Sequence, residues 1–363
     1  MLQRACAVAP LLFAPLLLAA LAGLPVADAS FVQRCGSHIC VDNVPWYFQG
    51  ANAYWLIDFV QKDRGMVDRF FDACNQFGLK VIRTWAFNHR MPYAWGKYDE
   101  GEFQGLDYIV DSAGRHNIRL ILALGNTWTA YRSPQDYLRM AGVDPATTDL
   151  LGFYNSSQLR HFYKDHISAI VWRTNTFNGR RYREDDAVMM YDAMNEPRCP
   201  GCMDAASQAI HHSFLQEMAT HLRGQAPYQL IALGTEGYFM NTYEGWNSGA
   251  GARCEGEDWV TINSKITAID VTVVHVYERQ MESVPPAWGK CNFTCFVNYM
   301  IQTLTDFLRG PERAVCAAAA AKWWLPIWTA PWAQTVDVAA YQRRCQDMTV
   351  LQVFLDTSKL VYG

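Results

Sequence analysis

Asn195 and Glu196, set side by side, are the residues of this chain best placed to do chemistry. They end the largely apolar run that starts at Val188, and Pro197, Arg198 and the pair Cys199 and Cys202 follow. A buried parallel strand reads as such a run, and in an α/β barrel the residues at its C-terminal end face the substrate. Pro197 cannot donate a ladder hydrogen bond and biases Glu196 away from helical geometry. The strand is therefore expected to stop there with the carboxylate directed into the mouth. Read alone, Asn-Glu-Pro fits a solvated loop glutamate beside a turn proline equally well, so its weight depends on the neighbouring elements.

Those elements repeat one pattern. A first strand with its outgoing loop is predicted over 46–55, further strands over 79–85, 119–125, 188–194, 229–234 and 268–275, and helices over 65–77, 105–116, 156–173 and 204–223. An irregular loop is expected over 129–155. Six strand ends carry polar or aromatic residues: Asn52 with Tyr54, Arg83 with Trp85, Asn126 with Trp128, Asn195 with Glu196, Glu236, and His275 with Tyr277. In a parallel barrel these ends converge on one face. No G-x-G-x-x-G follows the first strand, as a doubly wound dinucleotide-binding sheet would require. The fold expected is one α/β domain, a (β/α)8 barrel spanning 30–363, with strands seven and eight atypical or incomplete.

The composition is compatible with that size. With 363 residues, half of them hydrophobic, the chain can bury a large core. A net charge of -4 implies no charged partner, and no basic stripe points to nucleic acid. The 13 tryptophans suit sugar faces, although most such rings belong to a core. Residues 1–29 read as a secretory signal: Arg4 is the basic n-region, Val8 to Leu24 the apolar segment and Ala27-Asp28-Ala29 the cleavage site. A secreted, extracellular product with no membrane association after cleavage is expected. Ten cysteines remain past that site, which fits an oxidising compartment. Cys35 with Cys40 and Cys199 with Cys202 are plausible local disulfides; zinc at the Cys-x-x-Cys is the weaker alternative. Asn155 and Asn292 head glycosylation sequons.

The motifs together resemble a known family. Gly50-x-Asn52, Val81-Ile82-Arg83-Thr84-Trp85-Ala86-Phe87, Asn195-Glu196-Pro197-Arg198-Cys199, Gly234-x-Glu236-Gly237 and His275-x-Tyr277 are similar, in order, to the endo-β-1,4-mannanases of glycoside hydrolase family 5, plant and fungal branch. The resemblance implies retaining hydrolysis of mannan, glucomannan or galactomannan, β-linked polysaccharides and oligosaccharides being the partners. It implies Glu196 as general acid/base, Asn195 on the sugar 2-hydroxyl and Arg83 supporting the nucleophile. His275 and Tyr277 would line the cleft beside it. Trp55, Trp85 and Trp128 would offer stacking surfaces, with Asn52 and Glu236 at the same rim. No cofactor or metal is called for, and a monomer is expected. Plainer readings are a strand-end salt bridge for Arg83, a core histidine for His275 and a supporting role for Glu236.

A retaining glycosidase needs a proton donor, whose proton affinity burial or a second negative charge must raise, and a carboxylate nucleophile roughly 5 Å away. The family's nucleophile stands at the end of strand seven. The corresponding stretch, Lys322 to Trp332, holds no carboxylate; Ala330 or Pro331 occupies the place. From Ala314 onward the sequence diverges, with an alanine run and no recognisable eighth strand, so an open barrel with unpaired edges is expected. Either the tail is an altered end of the gene product, or the chain is a relative that has lost its nucleophile. Glu236 and Glu278, on neighbouring loops, would approach the anomeric carbon from the wrong side. Two alternatives stand beside a mannanase: a non-catalytic mannan-binding relative, and a β-1,4-glucanase on the same barrel.

Overall fold

The computed structural model describes residues 30–36, 38–237, 256–275, 325–329 and 351–356. The chain opens with a small antiparallel sheet, β1 (Val32–Cys35), β2 (His38–Val41) and β3 (Val44–Pro45). Asp42 and Asn43, with φ of 51° and 62°, make the two-residue turn between the last two strands, residue types that tolerate the left-handed region. A disulfide joins Cys35 to Cys40. Val32 and Ile39 pack with Phe48, Val81, Ile121, Met190, Leu230 and Val271, so this sheet plugs the N-terminal end of the barrel.

The barrel strands follow as β4 (Gln49–Asn52), β5 (Leu79–Trp85), β6 (Arg119–Ala123), β7 (Val188–Asp192), β8 (Leu230–Ala232), β9 (Val274–His275), β10 (Leu325–Thr329) and β11 (Leu351–Asp356). All neighbours are parallel and lie in the order β8-β7-β6-β5-β4-β11-β10-β9. The two ends of that row meet: Asp270 N–H donates to Ile231 O at 2.9 Å, and His275 N–H to Glu236 O at 3.1 Å. Inward and outward positions alternate. Val81, Ile121 and Met190 fill the interior, whereas Ile82, Leu122 and Tyr191 join the helical layer's core.

An eighth strand is present where none is recognisable in the sequence. The sequence beyond Ala314 shows no obvious eighth strand, yet Leu351–Asp356 pairs with both β10 and β4 and fills the gap between them. Its Leu-Gln-Val-Phe-Leu core is strand-compatible, and the alanine run and tryptophan cluster upstream obscure it in the sequence. The open edge is therefore not there among the described residues.

Around the strands lie α1 (Leu56–Phe59), α2 (Arg64–Gln76), α3 (Glu100–Arg115), α4 (Pro134–Met140), α5 (Leu150–Asn155), α6 (Ser157–Val171) and α7 (Ala205–Gln225), then a short helix Trp259–Lys265. The cap of α6 is Ser156, which accepts from Leu159 N–H at 3.3 Å. The stretch expected as irregular, 129–155, holds two short helices. Ser133 N–H bonds the Asp136 carboxylate at 2.9 Å ahead of Pro134, and Asp149 accepts from Gly152 N–H at 2.9 Å. Helix α3 begins before Gly105 because Asp99 caps it, accepting from Gly101 N–H at 2.9 Å. No helix among the described residues is long and apolar enough to cross a membrane. The signal segment and Asn292 lie outside the described residues, whereas Asn155 is exposed at the end of α5.

Candidate active site

The C-terminal ends of β5 to β9 carry the polar residues, and one charge pair in the barrel centre anchors them. Arg83 and Asp192 both point inward and are 2% exposed. Arg83 Nη2 lies 2.5 Å from Asp192 Oδ2 and Nε lies 3.0 Å from the same atom. The same guanidinium also donates to Asn195 Oδ1 at 3.0 Å. Asn195 in turn donates to Asn126 Oδ1 at 3.0 Å, so β5, β6 and β7 are tied together just beneath the rim. Arg83 thus bridges Asp192 and Asn195, as the plainer reading of a strand-end salt bridge has it. Asp192 went unnoticed in the sequence, although a charged residue inside an apolar strand is the available signal.

Above this tie the backbone turns sharply. Glu196 has φ of 49°, a left-handed conformation that costs a non-glycine residue about 1–2 kcal/mol. Its N–H donates to Gly234 O at 2.9 Å. Gly234 itself has φ of 69°, and a Cβ there would stand 2.2 Å from Met194 O and 2.4 Å from Asp192 Oδ1. Only glycine allows β7 and β8 to approach this closely.

The Glu196 carboxylate, 4% exposed, receives two donors. His275 Nδ1 lies 2.6 Å from Oε1, and the Trp128 indole N–H donates to Oε2. A carboxylate only accepts, so Nδ1 carries the hydrogen. Arg198 lies with its guanidinium 4.3 Å from the Trp128 ring and grips Glu236 through two bonds of 2.5 and 2.6 Å. Glu257 caps the other side of this loop, accepting from Glu236 N–H at 3.0 Å and Gly237 N–H at 2.8 Å. Arg198 and Glu257 have no assigned part in the sequence reading; Arg198 stands in the quoted motif, but its partner 38 positions away is invisible to local spacing.

Electrostatics reverse one expectation. Burial by itself pushes the Glu196 carboxyl up, but the bond and charge of His275, the Trp128 bond and the charge of Arg198 outweigh it and bring it down to about 2. The direction is opposite to the raised proton affinity that the resemblance implies for an acid/base. Glu236 moves the other way, pushed up to about 9 by burial and by the negative charge of Glu196, with Arg198 opposing.

The tryptophans divide. Trp128 is 44% exposed beside Glu196 at the rim. Trp55 cannot stack on a sugar: it is buried against Phe59 and Phe70, both 5.2 Å away centroid to centroid. Residue type alone does not tell which face a rim tryptophan takes. Trp85 is also largely covered, between Phe87 at 4.9 Å and Tyr131 at 4.5 Å, and Tyr54 and Tyr131 stand nearer the surface than it does. Asn52 ends β4 in register with Arg83 and Asp356. Tyr277, Glu278 and Ala330 lie outside the described residues. Cys199 and Cys202 form a disulfide, which removes both thiolates as zinc ligands. No cluster of three or more His, Cys, Asp or Glu among the described residues could hold a metal.

Residues 29–250 match the model of a family described as GH family 5 beta-mannosidase-like. The chain is 32% identical over 258 residues to mannan endo-1,4-beta-mannosidase 1 of Arabidopsis thaliana, covering 68% of this chain and 61% of that protein. It is 33% identical over 260 residues to mannan endo-1,4-beta-mannosidase 7 of the same plant, covering 69% of this chain and 59% of that one. The chain thus spans about three-fifths of the length of these relatives. The solved endo-1,4-beta-mannanase of Rhizomucor miehei superposes with a TM-score of 0.67 at 22% identity, covering 90% of each chain. That of Thermotoga petrophila gives 0.65 at 22% identity, over 85% of this chain and 67% of that one. The likeness to solved structures establishes the eight-stranded barrel, and the family match covers every rim residue from Asn52 to Glu236: the chain belongs to glycoside hydrolase family 5, among its β-mannosidase-like members.

Proposed function

We propose that this site binds a β-1,4-linked mannan chain across the barrel mouth and is built to act on its internal linkages, with Glu196 as the acid/base of a retaining endo-mannosidase. The observation that carries the reading is the Glu196 carboxylate, buried at the rim between His275 and the exposed Trp128 and backed by the Arg83, Asp192 and Asn195 tie. A sugar stacked on Trp128 would bring its glycosidic oxygen beside that carboxylate, and Asn195 would meet the 2-hydroxyl. Protonation by a positioned group contributes roughly 10²–10⁴-fold to such a reaction.

Half of the machinery is lacking in the sequence. With no carboxylate between Lys322 and Trp332, no glycosyl-enzyme can form, and nothing on that side raises the proton affinity of Glu196. The Glu196 carboxyl, pushed up by burial but lowered further by His275, Trp128 and Arg198, receives no opposing charge from a carboxylate between Lys322 and Trp332. The chain as it stands is therefore proposed to bind mannan and to turn it over poorly. Residues 1–29 support export, and a polysaccharide outside the cell is the natural substrate class for such a protein.

Calorimetric titration with mannohexaose and cellohexaose tests the substrate class. Saturable binding of mannohexaose, at least about tenfold tighter than cellohexaose, is expected. Equal or reversed preference would favour the β-1,4-glucanase reading, and binding of neither would remove the carbohydrate reading altogether.

A further inference from the structure

The loop that carries Glu196 is held from behind by two side chains that no catalytic assignment includes. Four successive carbonyls leave this loop, and each has a donor. Glu196 O accepts from Arg198 N–H at 2.7 Å and Cys199 O from Cys202 N–H at 2.9 Å, both inside the loop. The two between them are taken by outer helices: Pro197 O lies 2.7 Å from His211 Nε2 on α7, and Arg198 O accepts from Tyr154 Oη–H at 2.7 Å on α5. Both side chains are fully buried, with ring centroids 4.8 Å apart. A carbonyl can only accept, so His211 is the neutral tautomer with its hydrogen on Nε2.

We infer that His211 and Tyr154 are positioning residues for Glu196: they fix the Pro197 and Arg198 carbonyls, and through them the left-handed backbone of Glu196 and the direction of its carboxylate. A residue held at φ of 49° persists only where its surroundings over-determine it. Pro197 has no N–H to contribute, so the carbonyls are the available handles on this turn. The neighbouring strand ends are held alike, with Tyr163 donating to Ala193 O at 2.7 Å and His166 Nε2 2.9 Å from Leu124 O. Loss of the His211 donor leaves the buried Pro197 carbonyl unsatisfied, and the Pro197–Arg198 peptide is then free to rotate to find water, loosening the turn at Glu196. The carboxylate leaves Trp128 and His275 as it does so.

The inference rests on the acid/base reading of Glu196 only for its functional meaning, and its test involves no turnover. In protein carrying ¹⁵N-labelled tryptophan, the Trp128 indole N–H resonance is assigned by loss in Trp128→Phe, and its position without the carboxylate bond is set by Glu196→Gln. His211→Leu is expected to move the resonance toward the Glu196→Gln position and to speed its solvent exchange at least about tenfold. His211→Gln, which keeps a donor at the same reach, is expected to leave both near wild type. Tyr154→Phe, which removes one hydroxyl, is expected to give a smaller shift in the same direction and decides the matter if His211→Leu does not fold. An unmoved indole resonance in His211→Leu or in Tyr154→Phe, alongside a lower melting temperature, would mean that these residues only support the fold. Absence of mannohexaose binding, with the indole shifts as expected, would sink the functional reading and leave the positioning intact.

Discussion

The rim over β6 and β7 and the rim over β10 are opposite in character. The first presents Asn126, Trp128, Asn195 and Glu196, all joined by hydrogen bonds to one another, to His275 or to the Arg83–Asp192 pair beneath. The second leads from Thr329 into Ala330 and Pro331, where the family's pattern has a carboxylate. A site of this kind separates two tasks that an active glycosidase combines. On the proposed reading, recognition and protonation would depend on the first rim, and covalent capture of the sugar on the second. On that reading the chain keeps the elements of one task, and its sequence between Lys322 and Trp332 holds no carboxylate for the other.

Breaking the anchored side should have the largest effect. Arg83→Met leaves Asp192 charged and buried without its partner and should cost about 3–5 kcal/mol of stability, read from chemical denaturation. A loss below 1 kcal/mol would mean that the pair is incidental to the rim. Acid attacks the same side through histidines. His166 and His211 are fully buried and neutral, with burial as the main cause holding them down to about 4 and about 3. Their unfolded forms take up protons near pH 6.5, so their contribution is complete above that pH and is lost as pH falls toward 4 and then 3. For His166 alone this amounts to about 3 kcal/mol. Denaturation midpoints should therefore fall between pH 6.5 and 4, and a flat profile over that range would contradict the burial of neutral imidazoles.

The nucleophile that the proposed reading lacks can be supplied chemically. Azide is small enough to attack the anomeric carbon from the face where the nucleophile belongs; the C–O bond then breaks, Glu196 supplies a proton to the leaving oxygen and an α-glycosyl azide results. With an activated aryl mannobioside, added azide should raise turnover by about tenfold or more, and Glu196→Gln should remove the gain with substrates whose leaving group needs a proton. No azide product with any donor would place the defect elsewhere than in the missing carboxylate. The smallest expected effect is on binding: Trp128→Ala should weaken mannohexaose about tenfold, the loss of one exposed stacking face and of the Arg198 contact on its ring. The calorimetric isotherm gives this directly, and unchanged affinity would move the sugar away from Trp128.

Much of this architecture was legible in the sequence because strand ends announce themselves. An apolar run that stops on Asn-Glu-Pro, or a Val-Ile-Arg-Thr-Trp, places its last residues at a rim whatever the rest of the fold does. What connects those ends was not legible. Arg83 and Asp192 are 109 positions apart, and no local period relates them. The same holds for the ionisation of Glu196, since the predicted upward push from burial is present but His275 and Trp128, from other strands, overcome it. Trp55 shows the limit of residue type: its ring suits a sugar face as well as a core, and only packing on Phe59 and Phe70 decides. The short helices in 134–155 were missed because their evidence lies in capping contacts by Ser133, Asp136 and Asp149, not in apolar periodicity.

Release of reducing ends from glucomannan and mannohexaose by the purified protein, beside Glu196→Gln and without added anions, tests the central claim most directly. Binding of the oligosaccharide with release no faster than in the Glu196→Gln control is the predicted result. Steady turnover that Glu196→Gln abolishes would contradict it, because a carboxylate from another part of the chain would then be completing the site.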